Sequence, residues 1–204
     1  MFRYTFLVHN FPAAAKPGLS RKRAEASASQ TTVRRAVRPD AGQILELVTE
    51  YAGQGLMLSR TFDEIAARID SYVVATDDAG RVIACAALEE YSPSLAEVSS
   101  VAVASTHHGK GVGTQVVLGV ERLARARDID ELFALSLTDG FFLSLSYQPT
   151  TISRYPEKLA AYDTLTKSGV EIVPKRCFQK VLGKSWSAPQ LVEQTKPPRM
   201  KRAV

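Results

Sequence analysis

The sequence predicts an α+β domain in which helices wrap one mixed β-sheet. Three observations point there. Short β-branched runs alternate with segments of helical apolar spacing between residues 32 and 183. The turn Asp77-Asp78-Ala79-Gly80 lies between two such runs and makes them a hairpin. A further strand passes through a glycine-rich loop directly into a long amphipathic helix. No internal repeat is present.

Thr32–Val37 is a β-branched, Arg-studded run closed by Pro39, the pattern of an edge strand. Asp40 stands where an N-cap belongs, before a helix whose Ile44, Leu47, Val48 and Tyr51 share one face; Gly53 and Gly55 end it. Thr61 and Glu64 form a capping box for a second helix, Thr61–Ile69. Tyr72–Thr76 and Arg81–Leu88 are the hairpin strands, and Glu97–Ala104 follows after a loop holding Pro93. Gly109–Arg127 is the long helix, with Val112, Val116, Val120 and Leu123 inward. Leu132–Leu137 is a strand, Phe141–Leu145 a short helix and Cys177–Leu182 the last strand. The expected order is βααβββαβαβ.

Charge is unevenly placed. The chain holds 26 Lys/Arg and 21 Asp/Glu; residues 1–36 carry seven and one of these, and residues 183–204 five and one, which leaves 14 and 19 for the body. A nucleic-acid-binding fold would put its basic excess on the body, so no nucleic-acid partner is expected. Residues 1–31 are expected to be a disordered basic extension, whose composition also suits an organelle transit peptide, and 184–204 a disordered basic tail. The fold then occupies 32–183, in the cytoplasm or, if the extension is a transit peptide, an organelle matrix. The densest apolar run, Val82–Leu88, is far too short to span a membrane. Cys85 and Cys177 form neither a disulfide framework nor a metal motif, so no metal is expected.

The stretch Val98–Gln115 reads VSSVAVASTHHGKGVGTQ. Gly109, Gly111 and Gly113 strip side chains from the entrance of the long helix, so backbone N–H groups and the helix dipole can converge on a phosphate, with Lys110 at the rim. The spacing fits neither a Walker loop nor the dinucleotide fingerprint, which needs a third glycine where Val116 stands.

His108-Gly109-Lys110-Gly111-Val112-Gly113 resembles the acetyl-coenzyme A loop of the GNAT superfamily of N-acetyltransferases, [QR]-x-x-G-x-[GA], with His108 in place of the leading Gln or Arg. A narrower resemblance is to short N-acetylglutamate synthase-like proteins. It rests on Tyr51–Arg60, on Leu95–Val103 (LAEVSSVAV), on Phe141-Phe142, and on Tyr155-Pro-Glu-Lys158 with Cys177 downstream, and spans residues 33–182. Ser146-Tyr147 departs from the usual Gly-Phe. Phe141 and Phe142 stand on the helix where relatives keep a Tyr near the leaving thiolate, so no general acid is carried over.

The resemblance implies a single acetyltransferase domain with a V-shaped splay between central strands, where the strand Val98–Ala104 pairs with the pantetheine arm of acetyl-coenzyme A. Val101, Ala102 and Val103 are then candidates to polarise the thioester carbonyl through a backbone N–H, Val101 first. Residues His108 to Gly113 and Thr114 hold the cofactor. Glu97 is the first candidate for the base that neutralises the acceptor amine, ahead of Glu89 and Glu90. A dicarboxylic acceptor needs two cation sites: Arg60 for one, Lys158 or Arg154 for the other. The implied reaction is direct acetylation of L-glutamate, the first step of arginine biosynthesis. Other amino acids, polyamines or protein amines are alternative acceptors, and a non-catalytic acetyl-coenzyme A-binding module is a third reading. Small-molecule substrates are the expected partners, and a homodimer is left open.

Overall fold

A computed structural model describes residues 31–183. The expected basic extension and C-terminal tail therefore lie outside the described residues, apart from Thr31. Seven strands form one sheet in the order β1-β2-β3-β4-β5-β7-β6. The strands are β1 (Thr32–Arg35), β2 (Tyr72–Thr76), β3 (Val82–Ser92), β4 (Leu95–Val103), β5 (Glu131–Ser136), β6 (Gln148–Thr150) and β7 (Arg176–Val181). The helices are α1 (Ala41–Gly53), α2 (Phe62–Ala67), α3 (Val112–Ala126), α4 (Asp139–Ser144) and α5 (Pro156–Lys167). All neighbours pair antiparallel except β4 and β5, which are parallel.

Alternation along the strands divides the core. One face of β2–β5 packs Val73, Ile83, Val98 and Leu132 against Val116, Val120 and Leu123 of α3. The other packs Tyr72, Val74 and Cys85 against Ile44 and Val48 of α1 and Ile65 of α2. Gly119 lets α3 approach the sheet, since a Cβ there would lie 2.6 Å from Val73 Cγ1. A third, aromatic cluster centres on Phe133 and Tyr155, whose rings stack at 4.0 Å.

Two features of β4 shape the cleft. Its pairing with β5 covers only Leu95, Ala96 and Glu97, after which the strands part while β4 runs on to Val103. Its register with β3 slips between Cys85↔Ala102 and Ala87↔Ser99, and Ser100 at the slip takes φ +50°. This bulge switches the parity of the strand: Ala96 and Val98 pack on the α3 side before it, Val101 and Val103 after it.

The expected order lacks two elements that are present, β6 and α5. β6 is three residues long at a sheet edge and contains Pro149, so it has no strand pattern to read. α5 buries a single residue, Lys158, so it shows no apolar stripe. Asp40 precedes α1 but its side chain does not cap it. The carboxylate instead takes both terminal nitrogens of Arg34 at 2.6 and 2.9 Å and the Val37 N–H at 2.8 Å. The capping box of α2 is present: Thr61 Oγ1 accepts from the Glu64 N–H, and Glu64 accepts from the Thr61 N–H. Glu97 does not begin its strand. β3 and β4 close tightly around Pro93 and Ser94, so β4 starts at Leu95. Ser146 takes φ +64°, a left-handed conformation that glycine adopts more readily than serine.

Candidate functional site

The parting of β4 and β5 opens a cleft of about 620 Å³. Its two ends are built differently.

At one end, the chain leaves β4 through a short 3-10 turn, Ser105–His107, and enters α3. Gly109 and Gly111 sit at φ +71° and +76°, a backbone region that other residues rarely adopt. The first α3 bond from this turn is Gln115 N–H to the Gly111 carbonyl at 3.1 Å, and no side chain caps Gly111. The N–H groups of Val112, Gly113 and Thr114 therefore have no intrahelical acceptor, and all three residues line the cleft. This is an anion cradle with the positive end of the helix dipole behind it. Lys110 is exposed and does not line the cleft.

In the middle lies the β4 edge that β5 leaves unpaired, and at Val103 a side chain covers it: the Val103 N–H donates to the Tyr51 hydroxyl at 3.4 Å. The Ala104 N–H donates to Ile83 in β3, so by strand alternation Ala102 also faces β3, while Val101 and Val103 turn to the gap. Ala102, one of three candidates for the carbonyl-polarising N–H, thus has its backbone committed to β3 and its side chain in the α1 core. The Val103 carbonyl accepts from the Tyr51 hydroxyl at 2.8 Å, and His108 Nε2 lies 2.9 Å from both oxygens. Burial raises the Tyr51 pKa.

At the other end, charged side chains converge. Glu97 stands at the last β4–β5 pair and is 5% exposed. Its Oε2 receives Lys158 Nζ at 2.8 Å and the Tyr91 hydroxyl at 3.0 Å. Burial pushes the Glu97 carboxyl above the usual carboxylate range, against the pull of Lys158. Lys158 is aimed by the Tyr155–Phe133 stack at the start of α5 and by the face of Tyr162, 4.8 Å from its Nζ. Arg60 lines the cleft and lies 3.4 Å from Glu89, which Arg68 also approaches at 3.4 Å. Glu89 is the register partner of Glu97, so two carboxylates sit side by side under three cations. Arg154 is not brought to the cleft. It precedes α5, is exposed, and lies 3.6 Å from Glu131.

The profile of the Acetyltransferase (GNAT) family matches residues 41–140. An uncharacterised N-acetyltransferase of Chlorobaculum tepidum is 36% identical over 132 residues, 65% of this chain and 84% of that protein. The chain belongs to the GNAT family. Amino-acid acetyltransferase of Pseudomonas fluorescens is 30% identical over 131 residues, covering 63% of this chain but only 30% of that longer protein. The fold matches a Mycobacterium tuberculosis protein solved with CoA and NLQ, at TM-score 0.64 and 25% identity over 74% of this chain and 98% of that one. It also matches N-acetylglutamate synthase of Neisseria gonorrhoeae complexed with coenzyme A and N-acetyl-glutamate, at TM-score 0.65 and 22% identity over 77% of this chain and 36% of that one.

As a GNAT enzyme the protein is an acetyl-coenzyme A-dependent N-acetyltransferase. The uncapped N–H groups of α3 fit a pyrophosphate and the β4 edge at Val101, which β5 leaves unpaired, fits an amide-bearing arm, so this half of the cleft suits the cofactor. Among the described residues no His/Cys/Asp/Glu group could hold a metal ion, and no helix is long and apolar enough to cross a membrane. Tyr51, Tyr162 and Lys175 line the cleft and are not among the expected site residues. Tyr51 reads as one more apolar position of α1, and its polar tip gives no periodic signal. Tyr162 lies on the unpatterned α5. Lys175 lies in an irregular stretch and carries no local signature at all.

Proposed function

We propose that this GNAT enzyme acetylates the α-amino group of L-glutamate, the entry to arginine biosynthesis. The observation that carries the reading is the arrival of Arg60, from the turn after α1, at the end of the cleft opposite the phosphate cradle. A guanidinium there offers a carboxylate a planar, two-pronged partner. Relatives named amino-acid acetyltransferase support an amino acid as acceptor.

In this reading the Val101 N–H polarises the thioester carbonyl and steadies the oxyanion as the amine attacks. Glu97 takes the proton of the acceptor ammonium; burial has already raised its proton affinity. Both of its observed contacts fall on Oε2, so Oε1 is the oxygen assigned to that proton. Lys158, expected to meet substrate, is engaged with Glu97 instead and acts as its positioning residue.

A second reading, a polyamine or other cationic acceptor, draws on the adjacent Glu89 and Glu97. Ion pairs with Arg60, Arg68 and Lys158 already offset both carboxylates, which favours the acidic acceptor. Coenzyme A thiol release across a panel of free amino acids and polyamines tests the choice. Turnover of glutamate well above the rest is expected, and turnover confined to polyamines would replace the reading.

A further inference from the structure

Three cations line the acceptor end of the cleft, and they differ in what holds them. Lys158 is tied to Glu97 at 2.8 Å, and Arg60 shares Glu89 with Arg68. Lys175 has no carboxylate partner among the described residues. Its Nζ donates one hydrogen bond, 2.8 Å to the backbone carbonyl of Leu56, from the turn that also carries Arg60. An ammonium has three donors, so two remain. The residue is partly buried immediately before β7, and burial lowers its pKa. It lines the same cleft as Glu97 and Lys158. The free protein thus holds a partly desolvated positive charge that makes no ion pair with any carboxylate among the described residues.

We propose that Lys175 binds the side-chain carboxylate of the acceptor, and so makes the enzyme prefer an acidic amino acid to its neutral amide analogue. The inference rests on the amino-acid reading above and assigns the second carboxylate site, for which Lys158 is engaged and Arg154 is remote. With Arg60 on one carboxylate and Lys175 on the other, a dicarboxylic amino acid is gripped at both ends. A bound carboxylate recovers the desolvation of the ammonium, whereas an amide leaves it uncompensated. The bond to the Leu56 carbonyl restrains the ammonium, so it is placed before the acceptor arrives.

The test is steady-state kinetics of the full chain at saturating acetyl-coenzyme A, with glutamate and glutamine, for wild type, K175Q and K175R. Wild type should prefer glutamate. K175Q should raise KM for glutamate about ten- to a hundredfold, the loss of one charge-assisted bond, and change KM for glutamine and for acetyl-coenzyme A by less than about twofold. K175R, which keeps the charge, should restore part of the preference. An unchanged glutamate-to-glutamine ratio in folded K175Q overturns the proposal and leaves the glutamate reading standing. An equal loss with both substrates also overturns it, and makes Lys175 a tether for the Leu56 turn. Wild type that uses glutamine as well as glutamate removes the acidic-acceptor reading itself, before any variant is compared. K175M, which keeps the apolar stem, replaces K175Q with the same expected outcomes should the latter not fold.

Discussion

The two ends of the cleft solve opposite problems with opposite materials. At the end proposed to hold the cofactor, backbone N–H groups and two left-handed glycines form a cradle from residues adjacent in the chain, between Gly109 and Thr114. At the end proposed to hold the acceptor, side chains from β4, α5, the turn after α1 and the lead-in to β7 place charges in a half-dry environment. The first can be shared across a family, because a pyrophosphate does not change. The second has to be rebuilt for each acceptor, and every charge there depends on a partner remote in sequence.

The largest effect should come from breaking the acceptor end. K158M strands the Glu97 carboxyl at 5% exposure with only the Tyr91 hydroxyl for company. Breaking a buried pair on one side costs about 3–5 kcal/mol, to be read by urea unfolding. Turnover should fall steeply, whereas coenzyme A affinity, measured calorimetrically on the folded fraction, should hold. The double variant E97Q/K158M should recover part of the stability and none of the activity.

Gly111→Asp attacks the other end. It places a Cβ at φ +76° and a negative charge in the phosphate cradle. A like-charge contact of this kind should weaken coenzyme A binding by about 3 kcal/mol, more than a hundredfold, against roughly 1–2 kcal/mol of strain in the fold. Calorimetric titration with coenzyme A checks it. Unchanged affinity would show that the ends are not divided as described.

Asp40→Asn is the smallest and serves as the control, since Asp40 touches neither end. Losing its hydrogen-bonded pair with Arg34 should cost about 2 kcal/mol and leave both KM values unmoved. The Arg34 guanidinium holds the Asp40 carboxyl below the usual carboxylate range. The stability it contributes is therefore complete above the ordinary carboxylate pKa and is lost as pH falls through the lowered native value. Acid titration of the melting temperature should show a shallower acid limb for the variant.

Legibility in the sequence follows the same division. The strands and helices that cover a core announce themselves, because burial on one side imposes a period: α1, α2, α3 and the β2–β3 hairpin appear close to their expected bounds. α5 is absent from that reading because its buried face is one lysine, and β6 because an edge strand of three residues has no alternation to display. Among site residues, the glycine loop and Glu97 are visible as a local pattern and as part of a family-like strand. The pairing of Glu97 with Lys158 is not, since nothing in either neighbourhood refers to the other.

The sequence by itself determined the anion cradle, because left-handed glycines and uncapped helix N–H groups arise from residues adjacent in the chain. It likewise determined which faces of α1 and α3 are buried, because apolar spacing and the helical turn share one period. Only the tertiary structure decided which charge meets which. An ion pair depends on distances of a few ångströms between segments tens of residues apart. The β4 bulge at Ser100, the splay beyond Glu97 and the Tyr155–Phe133 stack set those distances: they turn Val101 to the gap, bring Lys158 to Glu97 and keep Arg154 outside.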